Sequence, residues 1–353
     1  MGHVDYEGRT LNSIDYFISE FVMKVHVLVN PRNPTGLMNR VDPFAVHGYK
    51  YIKHLSPHFD MVHYGVPGAQ VDCEHVDIPT NPTEIQRFNE LAGEEIRKRA
   101  SDGDIIACFF GVDNKLACDM NQTCKVVEPS IGYRANGIFA PYRVFTSYAN
   151  MHMFYGERGM LMSPSWFDDV IGNPFTVSEF EYCEEKEDYF LYFGRVCEEK
   201  GVHLAIQATE RLNKKLIIAG PGSLASLGYT KVPDHVEVFG VANAEQRKQL
   251  MKKARGLIGL TYYVEPFGNM IIEANLSGTP VITTDWGAFP EIVEEGQTGY
   301  RVRDFKSLLT AIENVDKISP FDCREWGLNF SDEEIHNKHK NYLNKVIMND
   351  FYA

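Results

Sequence analysis

The chain has 353 residues, of which 44% are apolar and 24% charged, and its formal net charge is −13. This is the composition of a globular protein with enough material for two domains, and the net negative charge argues against non-specific binding of nucleic acid, which needs basic patches. The seven cysteines are irregularly spaced, without a Cys-x-x-Cys pair, so we expect free thiols in a reducing compartment. Because no apolar run reaches the roughly 20 residues that cross a bilayer and no signal peptide is visible, we expect a cytoplasmic protein.

In the first half of the chain, strand-like runs alternate with helical ones. An N-terminal extension, residues 1–22, holds an amphipathic stretch that predicts a docked helix, and "MKVHVLVN" at 23–30 predicts the first strand. Two later runs, 104–111 and 124–130, are short, apolar and β-branched, as buried parallel strands should be. Asp102-Gly103-Asp104 has the form of an Asp-x-Asp metal motif, but its place just before a strand favours an ordinary turn.

The second half is more regular. Periodicity is lost over roughly 160–188, and we place the junction between domains near 175–186. Strands then alternate with helices from "YFLYFGR" to "PVITTD". Alternation of this kind predicts βαβ units, parallel sheets and right-handed crossovers. We therefore predict Rossmann-like domains at 23–178 and 179–330 and a C-terminal helix at 331–353.

The stretch "EPFGNMIIEANLSGTPVITT" predicts a turn followed by a helix that Gly278 ends. The first amides of such a helix, at Gly268, Asn269 and Met270, have no acceptors within the helix. They would point at the crevice beyond the carboxyl ends of the strands, where a diphosphate fits.

Two carboxylates flank this helix start. Glu265 would lie beside the phosphates and Glu273 one turn into the helix, and such a pair suits the vicinal hydroxyls of a sugar and a ribose. The alternative is that both are solvated surface charges, with Glu273 favoured by the helix dipole.

Two more segments could serve the same site. In "FGRVCEEKG", Arg195 and Lys200 follow a strand and could balance a diphosphate leaving group, although Lys200 could simply close a turn before Gly201. In "IIAGPGS", the turn Gly220-Pro221-Gly222 could pass under a nucleoside, although such turns also mark ordinary loops.

Taken in this order, "FGRVCEEKG", "IIAGPG", "VFGVANAEQRKQLMKKA" and "EPFGNMIIEANLSGTPVITTDWGAFPEIVEEGQTGY" resemble the C-terminal domain of retaining GT-B glycosyltransferases, glycosyltransferase family 4. The resemblance covers roughly residues 187–305, and Glu265 to Glu273 matches the Glu-x7-Glu motif of that family. It implies an α/β protein of the GT-B fold, in which the parallel sheets of two Rossmann-like domains face each other across a cleft. The N-terminal domain would be on the acceptor side, the C-terminal domain would bind the nucleotide sugar, and the last helix often crosses back to the first domain.

The resemblance also implies roles for individual residues. Arg195, Lys200 and Glu265 would be catalytic. The implied donor-binding residues are Gly36, Gly220, Pro221, Gly222, Val241, Phe267, Gly268, Asn269, Met270 and Glu273. Many members of the family carry a histidine after the fourth N-terminal strand, near the position of Ile131 here, and Glu128, Ser130 or Tyr133 could replace its contact with the donor sugar.

We thus predict a hexosyl- or pentosyltransferase that moves a sugar from a UDP- or GDP-type donor to a hydroxyl acceptor, with retention and without metal or cofactor. The acceptor could be a glycan, a lipid-linked sugar or a small molecule, whereas the acidity of the chain disfavours a modified base in DNA. A sugar-nucleotide epimerase of related fold and a non-catalytic nucleotide-sugar binding protein stay open as alternatives. An NAD dehydrogenase is disfavoured because "NPRNPTGLMNR" lacks Gly-x-Gly-x-x-Gly.

Overall fold

A computed structural model describes most of the chain. The described residues are 23–36, 42–160 and 164–349. The predicted extension and its helix, residues 1–22, lie outside them. The chain divides into two compact units. The first contains the residues up to Val144, Pro164–Asp169 and the residues from His336 onward. The second contains Phe145–Ser163 and Val170–Ile335.

A seven-stranded sheet organises the first unit. Its strands are β1 (Lys24–Leu28), β2 (Asp60–Gly65), β3 (Glu74–Asp77), β4 (Ile105–Cys108), β5 (Lys125–Ile131), β6 (Tyr142–Phe145) and β7 (Asp168–Val170). Their order is β3-β2-β1-β4-β5-β6-β7, and the pairs from β3 to β5 are parallel. Strands β4 and β5 lie where the sequence predicts buried strands.

Among the described residues, three helices follow strands β1, β3 and β4. They are α1 (Pro43–Leu55), α2 (Ile85–Arg97) and α3 (Lys115–Asp119). Helix α1 begins at Asp42, whose carboxylate accepts from the amides of Phe44 and Ala45 at 3.0 and 3.3 Å. Helix α2 buries Phe88, Ala92 and Ile96, which recur every four residues and therefore share one face, against the strands.

The pair of aspartates before β4 forms a turn. Gly103 between them has φ +88°, in the left-handed region that favours glycine. Both carboxylate oxygens of Asp104 accept backbone hydrogen bonds, from Lys24 N at 2.9 Å and Ser101 N at 2.7 Å. Asp104 thus fixes the start of β1 beside the start of β4.

The second unit contains a six-stranded sheet. Its strands are β8 (Phe190–Phe193), β9 (Leu216–Ala219), β10 (Val236–Gly240), β11 (Gly256–Gly259), β12 (Val281–Thr284) and β13 (Gly299–Val302). They lie in the order β10-β9-β8-β11-β12-β13 with every neighbouring pair parallel. The order reverses between β8 and β11, and ligands of such sheets bind beyond the carboxyl ends of the strands at this switch point.

The remaining described helices lie later in the chain, and most of them belong to the second unit. They are α4 (Tyr148–Arg158), α5 (Val202–Arg211), α6 (Ala244–Lys253), α7 (Asn269–Leu276), α8 (Phe289–Ile292), α9 (Phe305–Asn314), α10 (Pro320–Leu328) and α11 (Asp332–Met348). Alternate strand residues enter two cores: Leu191 and Leu257 pack with α6 and α7, whereas Tyr192 and Ile258 pack with α5 and α9. The period of two follows from strand geometry, and coverage on both faces explains why these strands are apolar throughout.

The residues from His336 to the end of α11 pack in the first unit. The Lys125 ammonium donates to the carbonyl oxygen of Val346 at 2.6 Å, and the rings of Tyr51 and His339 meet edge to face at 5.4 Å. Within the described ranges, no helix combines the length and the apolar character that crossing a bilayer requires. All seven cysteines are unpaired.

Candidate functional site

The loop Gly220-Pro221-Gly222 after β9 lies against the loop that follows β8. Val196 N donates to the carbonyl oxygen of Pro221 at 2.8 Å, and Gly220 N donates to that of Gly240, at the end of β10, also at 2.8 Å. Gly220 has φ +146°, and a Cβ there would lie 1.9 Å from the Gly194 carbonyl oxygen. The glycine therefore lets three strand ends approach one another.

The loop after β8 is also fixed to the end of β11. Gly201 has φ +66°, and a Cβ on it would lie 2.0 Å from the carbonyl oxygen of Leu260. Tyr262 N donates to the carbonyl oxygen of Glu199 at 2.8 Å. Lys200, between Glu199 and Gly201, is thereby held beside the loop that follows β11.

Lys200 and Glu265, both predicted site residues, form an ion pair there. Lys200 Nζ lies 2.5 Å from Glu265 Oε2, and the two side chains are only 15% and 13% exposed. The ammonium also lies 4.8 Å from the centre of the Tyr263 ring. Burial lowers the pKa of Lys200, but the Glu265 carboxylate more than offsets this, so the pKa is raised overall and the ammonium stays charged at neutral pH.

The backbone of Glu265 is held by the segment after β12. Ala288 N donates to the Glu265 carbonyl oxygen at 3.0 Å. Gly287 has φ +63°, and a Cβ there would lie 2.7 Å from Glu265 N. Glu265 therefore sits in a backbone position that two neighbouring loops fix.

Helix α7 begins immediately after this loop. Gly268 is its N-cap residue, with φ +93°, and a Cβ there would lie 2.8 Å from the ring of Phe289. The first amides of α7 have no acceptors within the helix, and they lie at the switch point of the sheet. The side chain of Asn269 is exposed, and its Oδ1 accepts from Asn173 Nδ2 at 2.8 Å.

Phe267 and Met270, at the start of this helix, pack into the core of the second unit. The Phe267 ring is buried and stacks against Phe175 at 6.3 Å, with Phe330 edge-on at 5.8 Å. Met270 is half-buried against the same core. Of these two predicted donor-binding residues, Phe267 can contact a ligand only through its backbone.

Two cations hold the opposite end of α7. Arg324 donates to the Leu276 carbonyl oxygen, and Lys186 Nζ lies 3.5 Å from the Ser277 carbonyl oxygen and 3.0 Å from Thr279 Oγ1. Burial lowers the pKa of Lys186 to about 8. Cations suit the negative end of the helix dipole, and these contacts fix the axis along which α7 points at the site.

Glu273 pairs with a residue that spacing alone does not indicate. Arg247 Nη1 lies 3.0 Å from Glu273 Oε1, and Nη2 lies 3.5 Å from Glu179 Oε2. Arg247 lies in a segment with a readable helix start, because Asn243 and Gln246 form a capping box. That signal places the helix, but not the contact of Arg247 with a carboxylate 26 residues away.

Arg195 and Val241 are both largely exposed to solvent. The side chain of Arg195 is 61% exposed and lies 3.8 Å from Glu199. Cys197 and, more weakly, Tyr263 raise the pKa of Arg195, so Tyr263 neighbours both predicted cations. Val241 follows β10 and is 73% exposed.

Gly36 belongs to the first unit, where its loop is hydrogen-bonded to two strands. Thr35 Oγ1 lies 3.0 Å from His63 Nε2, and His63 Nδ1 lies 2.9 Å from His75 Nδ1. His75 Nε2 lies 3.0 Å from Asp77 Oδ1. Burial lowers the pKa of His63 to about 3, so its ring is neutral. Thr35, His63, His75 and Asp77 thus form a continuous series of hydrogen-bonded side chains.

The residues proposed to replace the usual histidine are engaged within the first unit. Glu128 is fully buried, and its carboxylate accepts from Tyr133 Oη at 2.6 Å and Ala140 N at 2.8 Å. Burial raises the pKa of Glu128. Ser130 Oγ lies 3.5 Å from His47 Nδ1. The hydrogen bond between Tyr133 and Glu128 thus stabilises the loop after β5.

Comparison with known sequences places this geometry in a family context. Residues 178–318 match the family model "Glycosyl transferases group 1". Over 167 residues the chain is 31% identical to an uncharacterized glycosyltransferase of Methanocaldococcus jannaschii, which covers 44% of this chain and 42% of that protein. The chain therefore spans less than half of the length of this curated relative.

Solved structures resemble nearly the whole chain. A glycosyltransferase involved in avilamycin A biosynthesis superposes with a TM-score of 0.68 at 17% identity, covering 92% of this chain and 98% of that one. HepE of Anabaena in complex with UDP-glucose gives 0.66 at 17% identity, covering 92% and 100%. These likenesses confirm the predicted fold class, GT-B with two Rossmann-like domains. The part of the chain that matches the glycosyl transferases group 1 model, residues 178–318, contains the six-stranded sheet of the second unit.

Proposed function

We propose that the protein is a retaining glycosyltransferase of family 4, which moves a hexosyl or pentosyl group from a nucleoside-diphosphate sugar to a hydroxyl acceptor. The observation that carries this proposal is the Lys200–Glu265 pair at the start of α7, at the switch point of a parallel sheet. A cation and bare helix amides suit a diphosphate, and a carboxylate suits sugar hydroxyls. The glycosyltransferases to which this chain is similar support the same class.

The diphosphate would be bound by the start of α7 and by Lys200. Partial positive charge at a helix N-terminus favours phosphate. The buried, charged ammonium of Lys200 would attract the same phosphate groups. Arg195 is exposed and its fork can approach the phosphates bidentately. These groups would stabilise the charge that develops on the leaving nucleotide, which is the largest catalytic contribution we assign.

The two carboxylates would bind hydroxyls on either side of the diphosphate. Glu265 would contact the donor sugar and Glu273 the ribose, since an ionised carboxylate accepts several hydrogen bonds. Each is already paired with a cation, Lys200 or Arg247, which suits binding better than attack on carbon. We therefore propose retention without a covalent carboxylate intermediate, in contrast to retaining glycosidases.

The donor and setting follow from the same features. We propose a UDP- or GDP-type donor, with its base beside Val241 and the turn Gly220-Pro221-Gly222, and a glycan, lipid-linked sugar or small molecule as acceptor. We keep Gly36 as a proposed donor-binding residue. Because Arg195 and Lys200 can balance the diphosphate, no metal would be needed. The seven unpaired cysteines favour a reducing, cytoplasmic setting.

Turnover of UDP-, GDP- and ADP-sugars, measured as nucleotide release, tests the proposal. With the best donor, Lys200→Ala should lower kcat on the order of 100-fold or more, as loss of one charge-stabilising donor does. Lys215→Ala is the matched control, because Lys215 is a surface lysine paired with Glu237 at 2.7 Å, and it should keep wild-type turnover. A folded Lys200→Ala enzyme with near-normal kcat would reject the assignment.

Two further measurements on the same enzyme test the finer parts. Transfer should survive EDTA, and abolition of transfer by EDTA would contradict metal independence. The anomeric proton of the product, observed by NMR, should show the configuration of the donor, whereas the opposite anomer would contradict retention.

A further inference from the structure

We infer that Arg247 is a positioning residue, which holds the Glu273 carboxylate in the orientation that receives the ribose diol of the nucleotide. This inference rests on the proposed function, because it assigns the donor ribose to Glu273. It concerns specificity for the ribose and not the chemistry of sugar transfer.

Three groups fix the Arg247 guanidinium. Its Nη1 lies 3.0 Å from Glu273 Oε1, its Nη2 lies 3.5 Å from Glu179 Oε2, and its centre lies 5.2 Å from the centre of the Phe180 ring. A planar fork between two carboxylates and over an aromatic face has little freedom to turn. Glu273, which it contacts, is therefore held as well.

The backbone of Arg247 is equally well placed. The Asn243 side chain accepts from Gln246 N, and Gln246 Oε1 accepts from Asn243 N, both at 2.9 Å. This capping box fixes the first turn of α6, in which Arg247 is the fourth helical residue. The exposed Val241, proposed to lie beside the base, comes directly before the same turn. Arg247 thus connects the loop proposed for the base to the carboxylate proposed for the ribose.

Charge and burial explain why the partner is an arginine. The Glu273 side chain is only 13% exposed, and an ionised carboxylate at such a site is costly without a cation. A guanidinium stays charged at every ordinary pH. A carboxylate has about four acceptor positions, so Glu273 can pair with Arg247 and still accept hydrogen bonds from ribose hydroxyls.

A purely structural role would predict a different pattern. Lys252, on the same helix, pairs with Glu181, two residues from Glu179. That pair also ties α6 to the segment before β8, but does not involve Glu273. Comparing the two cations therefore separates positioning of Glu273 from simple attachment of the helix.

Calorimetric titration with UDP, GDP and ADP and their 2′-deoxy analogues provides the test. For the diphosphate that binds best, the wild type should prefer the ribose form by about tenfold or more, as expected for a hydrogen bond to a charged group. Arg247→Gln should narrow this preference to within about threefold, whereas Lys252→Gln should keep it. An Arg247→Gln protein with the full wild-type preference would overturn the inference.

Further measurements keep the outcome interpretable. If Arg247→Gln does not fold, Arg247→Met retains the aliphatic stem over the Phe180 ring and carries the same expectation. In turnover, either variant should raise the donor KM more than it lowers kcat, as loss of ground-state binding does. A fall in kcat without a rise in the donor KM would contradict the positioning role. If the wild type binds none of the three diphosphates, or does not distinguish ribose from deoxyribose, the proposed ribose site itself is wrong.

Discussion

Gly201 occupies one of the tightest positions in the second unit. Its φ is +66°, and a side-chain carbon there would lie 2.0 Å from the carbonyl oxygen of Leu260. Lys200 precedes it directly, and the Lys200 ammonium reaches Glu265 at 2.5 Å. The absence of a side chain at one residue therefore determines where a charged group of the site can lie.

Gly201→Ala should lower the free energy of unfolding by about 1–3 kcal/mol beyond the cost of the left-handed backbone alone, because the methyl group overlaps a carbonyl that cannot move freely. Gly228→Ala is the matched control, since Gly228 has φ +84° and open space where the Cβ would lie. Urea denaturation of both variants measures the difference. Equal losses in the two variants would show that the contact with Leu260 does not matter.

The sequence predicts the position of a site residue where a neighbouring strand end or motif indicates it. Lys200 and Glu265 follow strand ends, and such positions meet at one edge of a parallel sheet. Arg247 has no such signal, since its contact with Glu273 depends on how α6 and α7 pack. Phe267 also lies within a readable motif, but only packing shows that its ring faces the core.

At the scale of elements, a hydrogen-bonded chain joins the loop after β1 to β2 and β3. It runs from Thr35 through His63 and His75 to Asp77. His63 is fully buried, and a Cβ on Gly65 would lie 2.4 Å from its ring, so the strand leaves room for the imidazole. The chain fixes the loop that contains Gly36.

The buried His63 makes the stability of the protein fall as the pH is lowered. The pKa of His63 is about 3 in the folded protein against 6.5 for an ordinary histidine, so between these values only the unfolded chain binds the proton. Stability must therefore fall as pH falls. Between pH 8 and pH 6, wild type should lose about 0.8 kcal/mol more than His63→Asn.

Urea denaturation at the two pH values measures this difference. His58→Asn, at an exposed histidine, is the control and should follow the wild type. Parallel losses in wild type and His63→Asn would contradict a neutral, buried His63.

Elements were predictable where the chain is apolar. Strands β4 and β5 are short β-branched runs that are buried on both faces, and the sequence predicts both. Strands β3, β6 and β7 were not predicted: "EHVD", "YRVF" and "DDV" are three or four residues long and partly polar. Runs of this kind become strands because a neighbouring strand offers hydrogen bonds, which composition does not record.

On the scale of the whole molecule, two units each have their own sheet and core. Alternation of strands and helices was sufficient to predict two Rossmann-like domains. It could not show that residues 164–169 join the first unit, because contacts so distant in sequence leave no local pattern.

Nucleotide binding should affect the two units unequally. At a UDP concentration near 100 times its Kd, the protein should be stabilised by about 2.7 kcal/mol. Hydrogen exchange should slow most in the loops at 194–201, 240–247 and 261–270. Lys200→Ala at the same UDP concentration serves as the control and should show less protection. Protection greatest in β1, β2 and β4 would place the nucleotide elsewhere.

The Lys200–Glu265 contact also bears on which anions the proposed site would bind. A positive group already neutralised by its own counter-ion offers little to inorganic phosphate or sulfate. A ligand that separates Lys200 from Glu265 must supply an anionic group for Lys200 and hydroxyl groups for Glu265. On the proposed function, a ligand that carries both groups on one scaffold satisfies both residues at once, so we expect a nucleotide sugar to bind more tightly than inorganic phosphate or sulfate.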